Sequence, residues 1–224
     1  MRIYLHEKRS LHGEAAYPLI RLAAENYIDA EGLDLDCDLP EERDELEDEI
    51  FVRLLEGAEI KVTEKGKPYF VDVPLEFSVT NSGDMWMCAV SEKPCGIDLQ
   101  IRKNASYKRI SDRFYRPKEK EFVDMFGEEG FFRIWTRREA YGKAIGEGFW
   151  GDIPEIVCEG ARELVDVSNK FEFAEEDMRV ESSASTPVLK DVIGDYFISE
   201  VEVGDGIYCA ICTKDPAPYP IISF

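Results

Sequence analysis

The alternation of hydrophobic and polar positions in the first half of the chain predicts one helix followed by a series of strands. Apolar side chains at Ile20, Ala23, Ala24 and Tyr27 follow the i, i+3, i+4, i+7 spacing of one helix face, and Gly32 provides a helix end. Short apolar runs predict strands at 2–5, 67–71, 77–79, 85–90 and 96–99. The run at 85–90 is apolar throughout, which indicates a strand buried on both faces.

The second half of the chain changes to helical periodicity and then returns to strands. Helical patterns cover 107–114, 117–125 and 131–145, and Pro117 suits a first helical turn. The clearest later strands are 196–203 and 206–212, with a hairpin turn at Gly204-Asp205. Because the helices are grouped between sets of strands and do not alternate with single strands, the fold class is predicted to be α+β.

Composition limits the class of protein. Hydrophobic residues make up 44% of 224 residues, which is enough for a sizeable core. No apolar stretch approaches the roughly 18 residues that span a bilayer, and the N-terminus lacks the apolar segment of a signal peptide. The six cysteines are scattered or lie in apolar runs, and the chain has only two histidines. We therefore expect a cytoplasmic protein with buried thiols and no zinc site.

The charge is strongly negative but unevenly distributed. The formal net charge of −20 argues against a general nucleic-acid binder. Residues 101–143 nevertheless hold twelve Lys or Arg against seven Asp or Glu, which suggests an anion site or, alternatively, a solvated helical surface. Residues 34–56 are heavily acidic and are predicted to form an exposed insertion.

The segment GIDLQ, residues 96–100, is a candidate metal-binding strand. Side chains alternate along a strand, so Ile97 and Leu99 are expected in the core and Asp98 on the opposite, accessible face. A carboxylate on a rigid strand is a good magnesium ligand. A strand-end aspartate that only caps a turn is the alternative interpretation.

The segment WTRREAYGKAIGEGF, residues 135–149, is a candidate anion-binding helix. Ile134, Tyr141 and Ile145 form an apolar stripe at ~100° per residue, and Glu139 and Lys143 lie together on the opposite face. This pair is either a metal-binding carboxylate beside a phosphate-binding lysine or an ordinary surface ion pair.

Two further segments bring glycine and small polar residues close to exposed backbone amides. They are KGKPYF at 65–70 and VTNSGD at 79–84. Such amides can bind a phosphate or an adenine edge, although each segment alone is also typical of a tight turn.

In this order the four segments resemble the Sfp-type 4′-phosphopantetheinyl transferases. That family carries a GKP segment, an S-H-S-G turn, the motif G-[IV]-D-[IL]-E, and then W-x-x-K-E-[AS]-x-x-K-x-x-G. The resemblance runs from about Gly66 to Phe149, roughly the middle 40% of the chain. The last motif is the most specific of the four.

The resemblance implies an architecture and an activity. It implies two similar α+β lobes in a pseudo-twofold arrangement, here assigned to 1–101 and 102–224, with the active site in the cleft between them. The implied reaction moves the 4′-phosphopantetheine group of coenzyme A onto a serine of an apo acyl or peptidyl carrier protein, with Mg2+ as cofactor. It releases adenosine 3′,5′-bisphosphate. We expect a monomer with no nucleic-acid or membrane partner.

The resemblance also assigns roles to individual residues. Asp98 and Glu139 would hold Mg2+, and Gln100 would contribute through a water molecule. Glu139 would help to remove the serine proton, and Lys143 would contact the phosphates. The implied nucleotide-binding residues are Lys67, Pro68, Thr80, Asn81, Ser82 and Lys143.

Three positions depart from the family pattern. Gln100 replaces an acid, Asn81 replaces a histidine, and Arg138 replaces a lysine. Lys8 or Arg9 are candidates for the contacts to the 3′-phosphate. The alternative function is therefore a non-catalytic homologue that binds coenzyme A or a carrier protein as an interaction module.

Overall fold

Two four-stranded β-sheets and the helices that cover them form most of the part of the chain that the structure describes. This part comprises residues 1–7, 11–33, 57–103, 106–148, 151–159, 187–216 and 218–223 of a computed structural model. The acidic segment 34–56 and the candidates Lys8 and Arg9 lie outside the described residues. The mixture of helices and sheets confirms the α+β prediction.

The helices agree closely with the sequence periodicity. They are the 3-10 helix Gly13–Ala16, α1 Tyr17–Glu31, α2 Tyr107–Phe114 and α3 Pro117–Ile145. Gly32 ends α1 in the left-handed conformation, with φ of 59°. Gly127 interrupts α3 with φ of 62° and ψ of −137°, so the two helical patterns predicted at 117–125 and 131–145 meet at this residue.

The strands pair into two large sheets and two small ribbons. The strands are β1 Arg2–His6, β2 Ile60–Val62, β3 Pro68–Phe70, β4 Glu76–Ser82, β5 Met85–Ser91, β6 Cys95–Ile101, β7 Val157–Glu159, β8 Pro187–Leu189, β9 Val192–Ile193, β10 Tyr196–Glu200, β11 Ile207–Thr213 and β12 Ile221–Ser223. The first sheet has the order β12-β1-β5-β4 and the second the order β6-β11-β10-β9. The β1–β12 pair is parallel, and the other pairs in these sheets are antiparallel.

The sheets pack face to face between the helices. Strand β5 is buried along its whole length, as its apolar run predicts. Trp86 and Cys88 contact the cluster around α1, while Met87 and Ala89 face Ile97 and the rest of the second sheet. Helix α3 covers the other face of the second sheet through small side chains, among them Ala140 and Ala144. The layers are therefore helix, sheet, sheet and helix.

The edge strands β4 and β6 meet along a line that we call the seam. At the seam, hydroxyl groups of β4 accept hydrogen bonds from backbone N–H groups of β6. These bonds join Ser78 to Ile97 (3.1 Å), Thr80 to Leu99 (3.0 Å) and Ser82 to Ile101 (2.9 Å). Side chains on one face of a strand recur at every second residue. The hydroxyls of alternate β4 residues therefore match the alternate backbone N–H groups that β6 directs towards β4. We call this set of bonds the seam ladder.

The connections between the sheets cross the predicted boundary at residue 101. Strand β6 precedes that boundary but pairs with β11, and β12 follows it but pairs with β1. The division into lobes at 1–101 and 102–224 stays a prediction.

Candidate functional site

A cavity of about 620 Å³ opens where the β2–β3 turn, strand β4 and the end of α3 come together. Three lysines and several glycines contribute to its wall. The lining residues are Lys65, Gly66, Lys67, Pro68, Ser78, Val79, Glu139, Gly142, Lys143, Gly146, Glu147, Gly148 and Gly151. Four of the residues assigned from the sequence, namely Lys67, Pro68, Glu139 and Lys143, are therefore brought together.

Close approach between β6 and α3 builds the inner wall of this cavity. A Cβ atom on Gly96 would lie 2.0 Å from the carbonyl oxygen of Ala140 and 2.6 Å from the backbone nitrogen of Ala144. Because these contacts are with backbone atoms, a larger residue would push the helix away from the strand. Glycine at this position thus lets Asp98 of β6 reach Lys143 of α3.

Lys143 lies across the seam and is held by three oxygens. Its Nζ donates to Asp98 Oδ1 at 2.8 Å, to the Ile97 carbonyl at 2.9 Å and to the Val79 carbonyl at 3.4 Å. The Lys143 side chain still lines the cavity and is 24% exposed. Its charge is therefore partly neutralised yet remains near any anion in the cavity.

Asp98 is buried, so the accessible face predicted for it was wrong. Only 3% of the residue is exposed, because α3 covers the face of β6 that carries this side chain. Oδ1 accepts from Lys143 and from the Thr80 hydroxyl (3.2 Å), and Oδ2 accepts from the Gln100 amide (3.1 Å). A carboxylate offers about four acceptor positions, so about one remains after these three bonds.

Glu139 lines the cavity one helical turn before Lys143. The pKa of Glu139 is raised to about 7, chiefly by burial and secondly by the nearby charge of Asp98, against the opposing charges of Lys143 and Arg138. Lys143 pairs with Asp98 and not with Glu139, and in the described parts of the chain Glu139 has no ion-pair partner. The surface pair Glu139–Lys143 considered for this helix does not form.

The two carboxylates fit a divalent cation that is shared with a phosphate ligand. After burial, the charge of Asp98 is the second cause of the raised pKa of Glu139, and a cation would relieve this repulsion between the two carboxylates. Within the described ranges, no group of three or more His, Cys, Asp or Glu side chains could enclose a metal. Magnesium often uses one or two carboxylates and takes its other ligands from water and substrate phosphates. Asp98 and Glu139 match that sparse arrangement.

Residues 80–82 belong to strand β4 and do not form a turn. Thr80 and Ser82 are buried, with 4% and 5% of each residue exposed, and their hydroxyls serve the seam ladder. Asn81 is half-buried on the other face of the strand. None of the three is among the residues that line the cavity, although Ser78 on the same strand is. The nucleotide-binding role inferred for Thr80, Asn81 and Ser82 stays a prediction.

The β2–β3 turn contributes side chains to the cavity wall, while its Gly66 and Lys67 N–H groups already form hydrogen bonds within the turn. The N–H groups of Gly66 and Lys67 donate to the carbonyl oxygen and the hydroxyl of Thr63 at 2.9 and 3.0 Å. The expectation that these amides are free to bind phosphate was therefore wrong. The Lys67 ammonium donates to Glu76 at 3.2 Å and to the Cys95 carbonyl at 3.5 Å, which keeps it at the cavity wall.

Arg138 points away from the cavity into the core of the second half. Its guanidinium binds Glu119 at 3.0 and 3.2 Å, and both side chains are buried. Glu119 also accepts the backbone N–H groups of Arg116 (2.9 Å) and Ile156 (3.2 Å). The charge of Arg138 thus helps to hold the start of α3 and the 151–159 segment together.

The sequence motifs missed an ion pair at the mouth of the cavity. Lys65 of the β2–β3 turn pairs with Glu147, which follows α3, and both residues line the cavity. The loop of Glu147 folds back on the helix, because Glu147 and Gly148 donate their N–H groups to the Gly142 carbonyl. Glu147 lies inside the segment WTRREAYGKAIGEGF, but its partner is more than eighty residues earlier in the chain, so spacing alone gave no signal.

Part of the chain is similar to known proteins. The model of the 4′-phosphopantetheinyl transferase superfamily matches residues 94–185, a range that contains Asp98, Glu139 and Lys143. This match covers less than half of the chain, and it shows that this part of the chain is similar to the superfamily. Among curated relatives, the 4′-phosphopantetheinyl transferase gsp of Aneurinibacillus migulanus is 34% identical over 91 residues, and a 4′-phosphopantetheinyl transferase of Bacillus subtilis is 32% identical over 99 residues. The 4′-phosphopantetheinyl transferase HetI of a Nostoc species is 35% identical over 94 residues.

These alignments cover part of each protein. They include 39%, 41% and 38% of this chain and 38%, 43% and 40% of the respective relatives, so the chain matches less than half the length of each. The range 94–185 that the family model matches contains β6, the helices α2 and α3 and the inner wall of the cavity. None of the described helices has the length and apolarity needed to cross a membrane.

Proposed function

We propose that this chain transfers the 4′-phosphopantetheine group of coenzyme A to a serine of an apo carrier protein in a Mg2+-dependent reaction. The observation that carries this proposal is the position of Glu139 and Lys143 in the wall of one cavity, with the buried Asp98 carboxylate 2.8 Å from the Lys143 ammonium. The similarity of residues 94–185 to the superfamily supports the same reaction.

The side chains would divide the chemistry between them. The serine oxygen would attack the phosphorus that bears the pantetheine arm, and its proton would pass to the Glu139 carboxylate. The bond to the leaving oxygen of adenosine 3′,5′-bisphosphate would break as the new ester forms. Without a bound metal, burial and the charge of Asp98 raise the pKa of Glu139 to about 7, and a general base works best when its pKa lies near the ambient pH.

Positive charge in the cavity would stabilise the leaving group. Lys143 and Lys67 line the wall, and ammonium groups favour the charge that develops on phosphate oxygens. Asp98 and Glu139 would hold Mg2+, which would neutralise charge on the pyrophosphate. Gln100 donates to Asp98 Oδ2, so its role would be to orient this carboxylate.

Mass spectrometry of carrier proteins tests the proposal. The protein is incubated with coenzyme A, Mg2+ and apo carriers of the fatty-acid, polyketide and peptide-synthetase types. We expect at least one carrier to gain one phosphopantetheine group. Glu139→Ala should lower the rate about 100-fold or more, as loss of a general base does. Glu121→Gln, which removes an exposed carboxylate from the same helix, is the matched control.

The alternative of a non-catalytic binding module predicts a different result. Coenzyme A would bind, as measured by calorimetry, but no carrier would gain mass at any Mg2+ concentration. That outcome would refute the transferase proposal.

A further inference from the structure

Thr80 differs from the other two hydroxyl residues of the seam ladder. All three accept one backbone N–H from β6. Only the Thr80 hydroxyl lies within hydrogen-bond distance of a carboxylate, at 3.2 Å from Asp98 Oδ1. A hydroxyl has one proton to donate and two lone pairs to accept with. Thr80 can therefore accept from Leu99 and donate to Asp98 at the same time.

This arrangement ties the Asp98 side chain to the opposite strand. Thr80 and Asp98 are both buried, with 4% and 3% of each residue exposed, so water does not substitute freely for either partner. The Leu99 amide fixes the position of the hydroxyl oxygen at 3.0 Å. The hydroxyl in turn fixes Oδ1, the oxygen that Lys143 also contacts at 2.8 Å.

The other two side chains that bind Asp98 are less constrained than Thr80. Gln100 and Lys143 reach Asp98 with long side chains that have several rotatable bonds, and both are partly exposed. Thr80 is β-branched and restricted at its first torsion. Of the three side chains that contact this carboxylate, Thr80 is the one whose position the backbone determines most directly.

We infer that Thr80 is a positioning residue that orients the Asp98 carboxylate for a divalent cation, and that its hydroxyl does not bind nucleotide. The inference rests on the proposed function, since it assigns Asp98 to the cation site. Residues that hydrogen-bond to metal ligands fix the orientation of those ligands, and their loss weakens metal binding about 10- to 100-fold.

Direct metal binding tests this role without relying on turnover. Mn2+ replaces Mg2+ as the probe, and free Mn2+ is measured by electron paramagnetic resonance with and without coenzyme A. Thr80→Val keeps the shape of the side chain and removes the hydroxyl, so it should weaken Mn2+ binding about 10- to 100-fold. Thr80→Ser keeps the hydroxyl and should bind Mn2+ within about twofold of the unmodified protein, which is small beside the loss expected for valine.

A comparator separates positioning from general loosening of the seam. Ser82→Ala removes an equivalent ladder bond to Ile101 and has no contact with Asp98. It should lower thermal stability much as Thr80→Val does, yet leave Mn2+ affinity unchanged. Thr80→Ala is prepared in parallel in case the valine variant does not fold.

The outcomes distinguish the inference from the proposed function. Equal Mn2+ affinity in the folded Thr80 variants and the unmodified protein would overturn the inference. Equal losses in Thr80→Val and Ser82→Ala would also overturn it, as would absence of Mn2+ binding by the unmodified protein. If the unmodified protein binds Mn2+ but modifies no carrier, the proposed function fails and the Mn2+ comparison still decides the role of Thr80.

Discussion

Replacing Glu139 by glutamine should make the metal-free protein more stable in neutral and alkaline solution. Folding raises the pKa of this carboxyl from 4.5 to about 7, first through burial and second through the charge of Asp98. The folded state therefore binds the Glu139 proton more tightly than the unfolded state does. Stability from this group is complete below about pH 4.5 and is lost as the pH rises to about 7.

The size of the effect follows from the same pKa values. A rise from 4.5 to about 7 corresponds to about 3 kcal/mol of unfolding free energy. Of this unfolding free energy, about 2 kcal/mol is lost between about pH 5.5 and about pH 8.5. Glutamine has no proton to lose, so the Glu139→Gln variant should not show this part of the pH dependence.

Urea unfolding in the presence of a chelator measures the difference. The unfolding free energies of both proteins are determined at about pH 5.5 and about pH 8.5, and the two pH dependences are subtracted. The variant should gain about 2 kcal/mol relative to the unmodified protein at the higher pH, whereas the exposed control Glu121→Gln should gain little. Identical pH dependences would refute the view that Glu139 is held in a buried site beside a second carboxylate.

Three further predictions concern the cavity and the surface beside it. Gln100→Glu should lower the Mg2+ concentration needed for half-maximal transfer, because it adds a carboxylate beside Asp98; an unchanged or higher value would contradict this placement. Glu147→Gln should lower the Kd for coenzyme A a fewfold, because it removes a negative charge from the cavity wall and releases Lys65; calorimetry with unchanged Kd would count against the mouth as a binding surface. Replacing cations of the basic 107–125 segment by serine should weaken docking of the carrier protein. The KM for carrier should rise, and the KM for coenzyme A should stay unchanged. The residues to replace are Arg109, Arg113 and Lys120. Arg116 is left in place because it binds the Ile153 carbonyl and Asp152. A change confined to the KM for coenzyme A would instead place these cations at the nucleotide site.

Much of the fold could be predicted because local patterns reflect local constraints. The continuous apolar run of β5 follows from its position between a helix and a second sheet. Gly32 and Pro117 mark helix ends whose conformations they favour. Each of these signals lies within one short stretch of residues, so it can be recognised in the sequence without knowing the packing partner.

The environment of the site could not be predicted in the same way. Strand alternation placed Asp98 opposite Ile97 and Leu99, but it does not show what covers that face. The covering helix approaches because Gly96 has no side chain, and this is a contact between segments more than forty residues apart. The burial of Arg138 with Glu119 is a similar case, since a charged residue beside a candidate catalytic glutamate gives no local sign of pointing elsewhere.

The seam ladder also bears on how the protein avoids aggregation. Strands β4 and β6 each lie at the edge of a sheet, and an edge strand with unpaired amides can pair with another chain. The hydroxyls of Ser78, Thr80 and Ser82 accept the N–H groups that β6 directs towards β4, so these amides are not free to pair with another chain. The alternating hydroxyl pattern on β4 thus protects β6 from pairing with a neighbouring molecule.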